Sequence, residues 1–189
     1  NTITLVSLSE GTYSNCTITV TDSSGNVSNT ITLTSFIVDL TAATLVEVTA
    51  VTTPDNDTTP DYTFSSSESG TITYGGSCSS STTSATTDNN TITLVSLSEG
   101  TYSNCTITVT DNSSNSVTLN ISSFVIDTTA PTVFSINPTD NQSSVSVSDN
   151  ISVTFSEAMD NTSVTLNTSN TSCSGSLQLS SDNFNGCIQ

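Results

Sequence analysis

The sequence predicts an all-β chain built from repeated β-sandwiches, and three observations support that fold class. Short apolar runs alternate with Thr or Ser. In "CTITVTD", Cys105, Ile107 and Val109 fall on one face of a strand and threonines on the other. No stretch has a helical period, and no apolar run approaches the roughly 20 residues that a membrane helix needs. Residues 1–22 return letter for letter as residues 90–111. Disorder is the alternative because only 32% of the chain is hydrophobic, and the regular alternation argues against it.

The internal repeat defines the expected domains. The second copy loses one residue where "TDSSGNVSN" becomes "TDNSSNSV", a turn-rich stretch that tolerates such a change because hairpin loops lie on the surface. The repeating unit is about 88 residues long, close to the about 100 residues of an immunoglobulin-type sandwich. We expect residues 1–41 to be the second half of one copy and residues 42–128 to be a complete copy. Residues 129 to 189 no longer match the sequence of the repeat, which indicates the first part of a second kind of sandwich.

Within the complete copy the alternation predicts six strands. The prolines of "TTPDNDTTPD" separate the first two, since proline lacks the amide hydrogen that a β-ladder needs. The order of the strands suits a Greek-key sandwich. The predicted strands are residues 44–51, 62–65, 70–74, 91–97, 105–111 and 117–125.

The charge of the chain excludes several classes of function. The sequence has 17 acidic side chains and no Lys, Arg or His, which gives a formal net charge of −17. Without basic groups the chain cannot neutralise phosphates, so we expect no binding of nucleic acid and no attraction to anionic membranes. The usual general bases and phosphate-clamping cations are also missing. We therefore expect a protein that is not an enzyme.

Several stretches resemble known bacterial families. "TPDNDTTPDYTFSSSESGTITYGGSC", "LSEGTYSNCTITVTD" and "SFVIDTTAP" resemble the tandem immunoglobulin-like repeats of large bacterial surface proteins and adhesins. "INPTDN" and "ISVTFSEAMD" are similar to another bacterial immunoglobulin-like family, of the type found in surface-layer and secreted proteins. The resemblance implies an extracellular, non-catalytic stalk or spacer that projects an adhesive or enzymatic tip. Its partners would be neighbouring immunoglobulin-like domains of the same or an adjacent chain.

One feature departs from the immunoglobulin pattern. In immunoglobulin domains the tyrosine of the tyrosine corner precedes a cysteine by two residues. Here Tyr102 precedes Cys105 by three residues, in "EGTYSNC". This spacing argues against the corner hydrogen bond at Tyr102.

The five cysteines predict disulfides rather than a metal centre. They are spread singly, with no CxxC pair and no His, so a zinc site is not expected. In an oxidising compartment Cys78 can pair with Cys105, and Cys173 can pair with Cys187. Cys16 repeats Cys105, so its expected partner would lie before residue 1. We therefore expect Cys16 to be unpaired in this chain.

The carboxylates are the candidate metal ligands. With no cationic side chain, each Asp or Glu relies on hydrogen bonds, water or a bound cation, and Ca²⁺ fits because it takes 6–8 oxygen ligands. The alternative is that Asp stabilises turns by accepting hydrogen bonds from its own backbone. The candidate calcium ligands are Asp55, Asp57, Asp61, Asp111 and Asp127.

Two further functions are alternatives to the stalk. The loop "GGSCSSSTTSATTDNN" could recognise a ligand, although aromatic residues are only 5% of the chain and Trp is absent. The incomplete end domains could instead exchange strands between molecules and build an extracellular filament. In that case the strand edges of residues 2–8 and 151–155 would pair with another chain.

Overall fold

The computed structural model describes residues 2–146, 148–167, 173–180 and 187. These residues form 15 strands and no helix, which confirms the all-β class; they accordingly contain no helix that could cross a membrane. The chain divides into two compact units, Asn1–Thr128 and Thr129–Gln189. The strands are β1 (Gly11–Tyr13), β2 (Thr17–Ile18), β3 (Ile31–Thr32), β4 (Phe36–Val38), β5 (Leu45–Thr49), β6 (Asp61–Ser66), β7 (Gly70–Gly75), β8 (Ser84–Ala85), β9 (Asp88–Thr93), β10 (Gly100–Tyr102), β11 (Thr106–Thr110), β12 (Ser116–Asn120), β13 (Phe124–Ile126), β14 (Val133–Asn137) and β15 (Ser152–Phe155).

The complete repeat is a two-sheet sandwich. One sheet has the order β5-β6-β9, the other has the order β12-β11-β7-β8, and β10 pairs with β13. These strand pairs are all antiparallel, and Asp55 forms an isolated parallel bridge with Ile126. Alternation along the strands buries one side chain in two, and the buried side chains of both sheets form one core. The largest are Tyr62, Phe64, Phe124, Ile72, Ile92, Leu94, Ile107 and Ile126.

Threonines occupy the outward positions of the same strands. The hydroxyls of Thr63 and Thr91 are 2.8 Å apart across β6 and β9, and those of Thr108 and Thr118 are 2.8 Å apart across β11 and β12. Such cross-strand pairs support a sheet whose outer face meets water. The Thr-rich composition is therefore compatible with a folded sandwich.

The structure refines the predicted strands. The stretch 117–125 is two strands, because the chain leaves the sheet at Ser122, whose amide and hydroxyl both donate to the carboxylate of Glu47. β9 starts at Asp88 and ends at Thr93, earlier than predicted at both ends. β8 and β10 were not predicted, since two or three residues are too few to show an alternation.

The tyrosine corner expectation was wrong. The hydroxyl of Tyr102 donates to the carbonyl oxygen of Ser98 at 2.8 Å, and Tyr13 makes the same bond to Ser9 at 2.9 Å. The acceptor lies four residues upstream, before the Glu-Gly pair of "SEGTY". The bond therefore depends on this turn and not on the distance from the tyrosine to Cys105.

Residues 1–41 repeat the pairing of their counterparts in the complete repeat. β1 pairs with β4 as β10 pairs with β13, so Tyr13 lies opposite Phe36 and Tyr102 opposite Phe124. The ring centroids are 5.3 Å apart in the first pair and 5.2 Å apart in the second. β2 pairs with β3 in the register of β11 with β12.

The turn between β11 and β12 gives a first prediction. Ser114 has a φ of 75°, and Gly25, at the same place in the first copy, has a φ of 88°. A residue with a Cβ pays about 1–2 kcal/mol to adopt this left-handed conformation. Glycine avoids that cost, but it loses more backbone entropy on folding, which offsets part of the advantage. We expect Ser114→Gly to raise the free energy of unfolding by about 0.5–1 kcal/mol in urea titrations. Ser113→Gly is the control and should give no gain; equal effects of both variants would contradict this account of the turn.

The second unit pairs β14 with β15, with a bulge between Val133 and Ser135. A cavity of about 480 Å³ lies against this pair. Its apolar lining is Val133, Ile136, Ile151, Val153, Phe155, Val164 and Leu177.

Candidate functional site

Three carboxylates converge near the turn that follows β11. One oxygen each of Asp39, Glu68 and Asp111 lies within 4.8 Å of the others; among the residues that the structure describes, no other group of three acidic or cysteine side chains meets that limit. Asp39 lies near the end of the segment 1–41, Glu68 lies in the turn between β6 and β7, and Asp111 follows β11. The cluster therefore lies where the first copy continues into the complete repeat.

Hydrogen bonds from Asn115 link two members of this cluster, Asp39 and Asp111. The side-chain amide of Asn115 donates to the carboxylate of Asp111 at 3.0 Å and to the carbonyl oxygen of Asp39 at 3.2 Å. The amides of Ser113 and Asn115 also donate to the Asp111 carboxylate, at 2.7 and 2.9 Å. Desolvation raises the pKa of Asp111, but these hydrogen bonds outweigh it and the pKa lies below its ordinary value. Asp111 is therefore an ionised acceptor that orders the turn.

The first copy builds the same turn. The side-chain amide of Asn26 donates to Asp22 at 2.9 Å, and the backbone amides of Ser24 and Asn26 donate to it at 2.9 and 2.8 Å. The pKa of Asp22 is lowered, first by the side-chain and then by the backbone hydrogen bond of Asn26. The spacing from Asp22 to Asn26 is the same as that from Asp111 to Asn115, although the residues between and after these positions differ.

The structure does not bring the five predicted calcium ligands together. Asp57 accepts hydrogen bonds from the amide and hydroxyl of Thr59 at 2.8 and 3.0 Å, and Asp55 accepts one from the amide of Asp57 at 3.0 Å. These are turn-stabilising bonds of the alternative kind. Asp61 accepts a hydrogen bond from the Thr93 hydroxyl at 2.6 Å, across β6 and β9.

The backbone of Asp127 is hydrogen-bonded to the backbone of Asp55. Its amide donates to the Asp55 carbonyl oxygen at 2.9 Å, and the Asp55 amide donates to the carbonyl oxygen of Val125 at 3.0 Å. Only Asp111 of the predicted set belongs to the cluster. Sequence reasoning missed Asp39 and Glu68, although Asp39 could have been found as the repeat counterpart of Asp127.

Calcium binding stays a prediction, and the cluster sharpens its test. Because no cationic side chain balances these carboxylates, NaCl should raise the melting temperature gradually through screening. Calcium bound at one site should act at low concentration and saturate. We expect Glu68→Gln to abolish a saturating calcium shift and Asp57→Asn to leave it unchanged. The reverse result would place the ion in the loop of residues 55–61. A melting temperature that changes with neither NaCl nor calcium would contradict the electrostatic argument.

Glu47 is a second residue that sequence reasoning missed. From β5 its carboxylate accepts hydrogen bonds from the amide and hydroxyl of Ser122, at 3.0 and 2.7 Å, and from the Tyr62 hydroxyl at 3.1 Å. Desolvation raises the pKa of Glu47, yet the bonds from Ser122 and Tyr62 bring it below its ordinary value. Burial, and then the charge of Glu47, raise the pKa of Tyr62. This carboxylate has a structural role in joining β5 to the segment between β12 and β13.

The cysteines form the two expected pairs at disulfide distance. The Cα atoms of Cys78 and Cys105 are 5.2 Å apart, and both residues are buried in the core of the complete repeat. The Cα atoms of Cys173 and Cys187 in the second unit are 5.1 Å apart. Cys16 is free and half-buried.

Comparison with known proteins identifies one segment. A family model described as a bacterial Ig-like domain matches residues 127–184. No curated protein and no solved structure matches the chain. Domains of this family are typically extracellular surface modules without catalytic activity, and disulfides fit that location. Residues 127–184 are therefore similar to bacterial Ig-like domains, and they follow the all-β sandwich repeat in the sequence.

Proposed function

We propose that this chain is a segment of a non-catalytic stalk, a spacer in a repetitive extracellular bacterial surface protein. The observation that carries the proposal is the closed core of the complete repeat. The buried residues of the core cluster lie between Val51 and Ile126, so all of them belong to this one repeat. A unit that buries its own core can be added or removed without exposing the core of its neighbour. Such a unit suits a structure whose length is set by copy number.

The disulfide of the complete repeat supports the same role. Cys78 and Cys105 are separated by 27 residues, and their bond closes a loop that includes β8, β9 and β10. In a chain-entropy account, closing such a loop destabilises the unfolded state. A domain held outside the cell can keep this constraint, because disulfides persist in oxidising environments.

The net charge and the paired surface threonines support a spacer rather than a domain that associates with its neighbours. The net charge of −17, with no basic side chain, makes identical neighbours repel one another. The outward threonines of β6, β9, β11 and β12 bond to each other across the strands. Near-identical copies in one chain can then fold side by side with little tendency to associate through their sheet faces.

Ligand recognition by the loop of residues 75–90 has no specific support. The hydroxyl of Tyr74 donates to the carbonyl oxygen of Thr82 at 2.6 Å, which ties the loop to β7. The side-chain amide of Asn90 donates to the carbonyl oxygens of Thr86 and Asp88, at 2.8 and 2.9 Å. The first bond ties the loop to its own domain, and the other two order the loop internally.

The test of the proposal is labelling of intact cells. Antibodies raised against residues 42–128 should label cells of the producing bacterium before permeabilisation, as expected for a surface stalk. An antibody against a cytoplasmic protein is the control and should label only permeabilised cells. Labelling that requires permeabilisation would overturn the extracellular assignment.

A further inference from the structure

The first and last segments of the complete repeat lie side by side and run in the same direction. Asp55, in the segment after β5, forms a parallel bridge with Ile126 of β13. The amide of Asp55 donates to the carbonyl oxygen of Val125 at 3.0 Å, and its carbonyl oxygen accepts from the amide of Asp127 at 2.9 Å. The strand pairs of both sheets are antiparallel, so this parallel contact is a separate joint between the two ends of the repeat.

Side chains extend this contact toward the start of the repeat. The hydroxyl oxygen of Thr53 accepts a hydrogen bond from the amide of Val125 at 2.9 Å. Nearer the start, the carboxylate of Glu47 accepts hydrogen bonds from the amide and the hydroxyl of Ser122, at 3.0 and 2.7 Å. We call these three hydrogen bonds and the two backbone hydrogen bonds of Asp55 the end clamp.

The direction of the two segments decides how tension would load the end clamp. The chain enters the repeat at residue 42, ahead of the first segment, and leaves it at residue 128, after the second. Pulling these two points apart therefore slides one parallel segment along the other. Because ladder hydrogen bonds run across the strands, such sliding strains the bonds of the clamp together. In an antiparallel hairpin pulled apart at its two free ends, the bonds would instead open one after another.

Each segment of the end clamp is also anchored by a buried side chain. Val51 of the first segment and Ile126 of the second belong to the core cluster of the repeat. Their exposed fractions are 5% and 0%. Sliding the segments past each other must therefore shift these side chains in the core as well as break the hydrogen bonds.

We propose that the end clamp is the part of the complete repeat that resists tension, which makes the repeat a load-bearing unit. The inference deepens the proposed function and rests on it for one point, since a stalk is what would place residues 42–128 under tension. Resistance to force then depends on the contacts between residues 47–55 and 122–127 more than on the core between the two sheets.

The disulfide of the repeat limits how far the chain extends once the clamp breaks. Cys78 and Cys105 lie outside the end clamp, and their bond encloses β8, β9 and β10. The enclosed chain cannot extend while the bond is intact. Removing the bond should lengthen the unfolding step by about 90 Å, for a separation of 27 residues at about 3.3–3.6 Å each, less the 5.2 Å between the Cα atoms.

The experiment pulls the 189-residue chain by its two ends at constant force and times the unfolding of residues 42–128. That step is recognised by its lengthening in the double variant Cys78→Ala/Cys105→Ala. Thr53→Val keeps the shape of the side chain and removes the acceptor for the amide of β13. We expect the Thr53→Val repeat to unfold about fivefold faster at the same force, as for the loss of one hydrogen bond. Ser122→Ala removes another hydroxyl of the clamp and should also speed unfolding.

Two controls separate resistance to force from thermodynamic stability. Thr108→Val is the matched substitution, because the Thr108 hydroxyl bonds to that of Thr118 outside the end clamp. It should leave the unfolding rate under force unchanged. Ile92→Ala removes buried contacts on β9 and should lower stability in urea more than Thr53→Val does. It should nevertheless speed unfolding under force less, since contacts still formed at the barrier do not change the unfolding rate.

Two results would overturn the inference. Rates for Thr53→Val and Ser122→Ala no higher than that for Thr108→Val would mean that the end clamp bears no load. A larger acceleration by Ile92→Ala than by Thr53→Val would place the resistance in the core. Neither result changes the labelling of intact cells, so the stalk proposal is tested separately.

Discussion

Replacing Ile92 by alanine should lower the free energy of unfolding of the complete repeat by about 2–5 kcal/mol. Ile92 is 1% exposed on β9 and contributes to the core shared by both sheets. Its truncation removes buried apolar contacts and leaves a cavity that the sandwich cannot fully close. The measurement is a urea titration followed through the amide NMR signals of β6 and β11, which report on this repeat alone.

The repeat provides the control for that variant. Ile3 stands at the same position of the identical sequence but is 61% exposed. Ile3→Ala should change the free energy of unfolding by no more than about 0.5 kcal/mol, as for other exposed sites. Similar losses for both variants would mean that residues 1–22 are buried in solution, and would contradict the exposed placement of this segment.

Removing the disulfide of the complete repeat should be nearly as costly. We expect the double variant Cys78→Ala/Cys105→Ala to lower the free energy of unfolding by about 3.5 kcal/mol, from loop-closure entropy for a separation of 27 residues. The double variant Cys173→Ala/Cys187→Ala is the control and should leave the unfolding of residues 42–128 unchanged. A loss below about 1 kcal/mol for the first pair would show that the unfolded state is not constrained as this account requires.

The sandwich could be read from the sequence because its signals are local. Ile107 and Val109 alternate with threonines along β11, and the structure buries the first pair and leaves the threonines half-buried. The cysteine pairing was also accessible, because Cys78 and Cys105 lie inside one repeat and Cys16 marks its copy. Periodicity and repetition were sufficient for these features.

Long-range polar contacts could not be read in the same way. The Glu47 carboxylate reaches Ser122, 75 residues away, and no spacing rule links the two positions. Asp39, Glu68 and Asp111 meet only because a segment of the first copy lies against the complete repeat. The tyrosine corner was misjudged because the distance from Tyr102 to Cys105 was used, whereas the acceptor is the carbonyl group of Ser98.

The two copies of the repeated stretch differ in the burial of their apolar side chains. A first half is present for residues 90–128, and their apolar side chains form a core. The same letters in residues 1–22 leave Ile3 and Leu5 exposed. The identity of the two stretches shows that local sequence alone does not decide burial, which depends on what packs against each stretch.

The most direct test of the stalk is the length of an array as copies are added. Arrays of one, two and four copies of residues 42–128 in series should be measured by small-angle X-ray scattering in NaCl and in calcium. The account predicts a maximum dimension that grows by a constant increment with each copy, as expected of stiff spacers. Growth with the square root of the copy number, as for a flexible chain, or collapse of the copies onto one another, would contradict it.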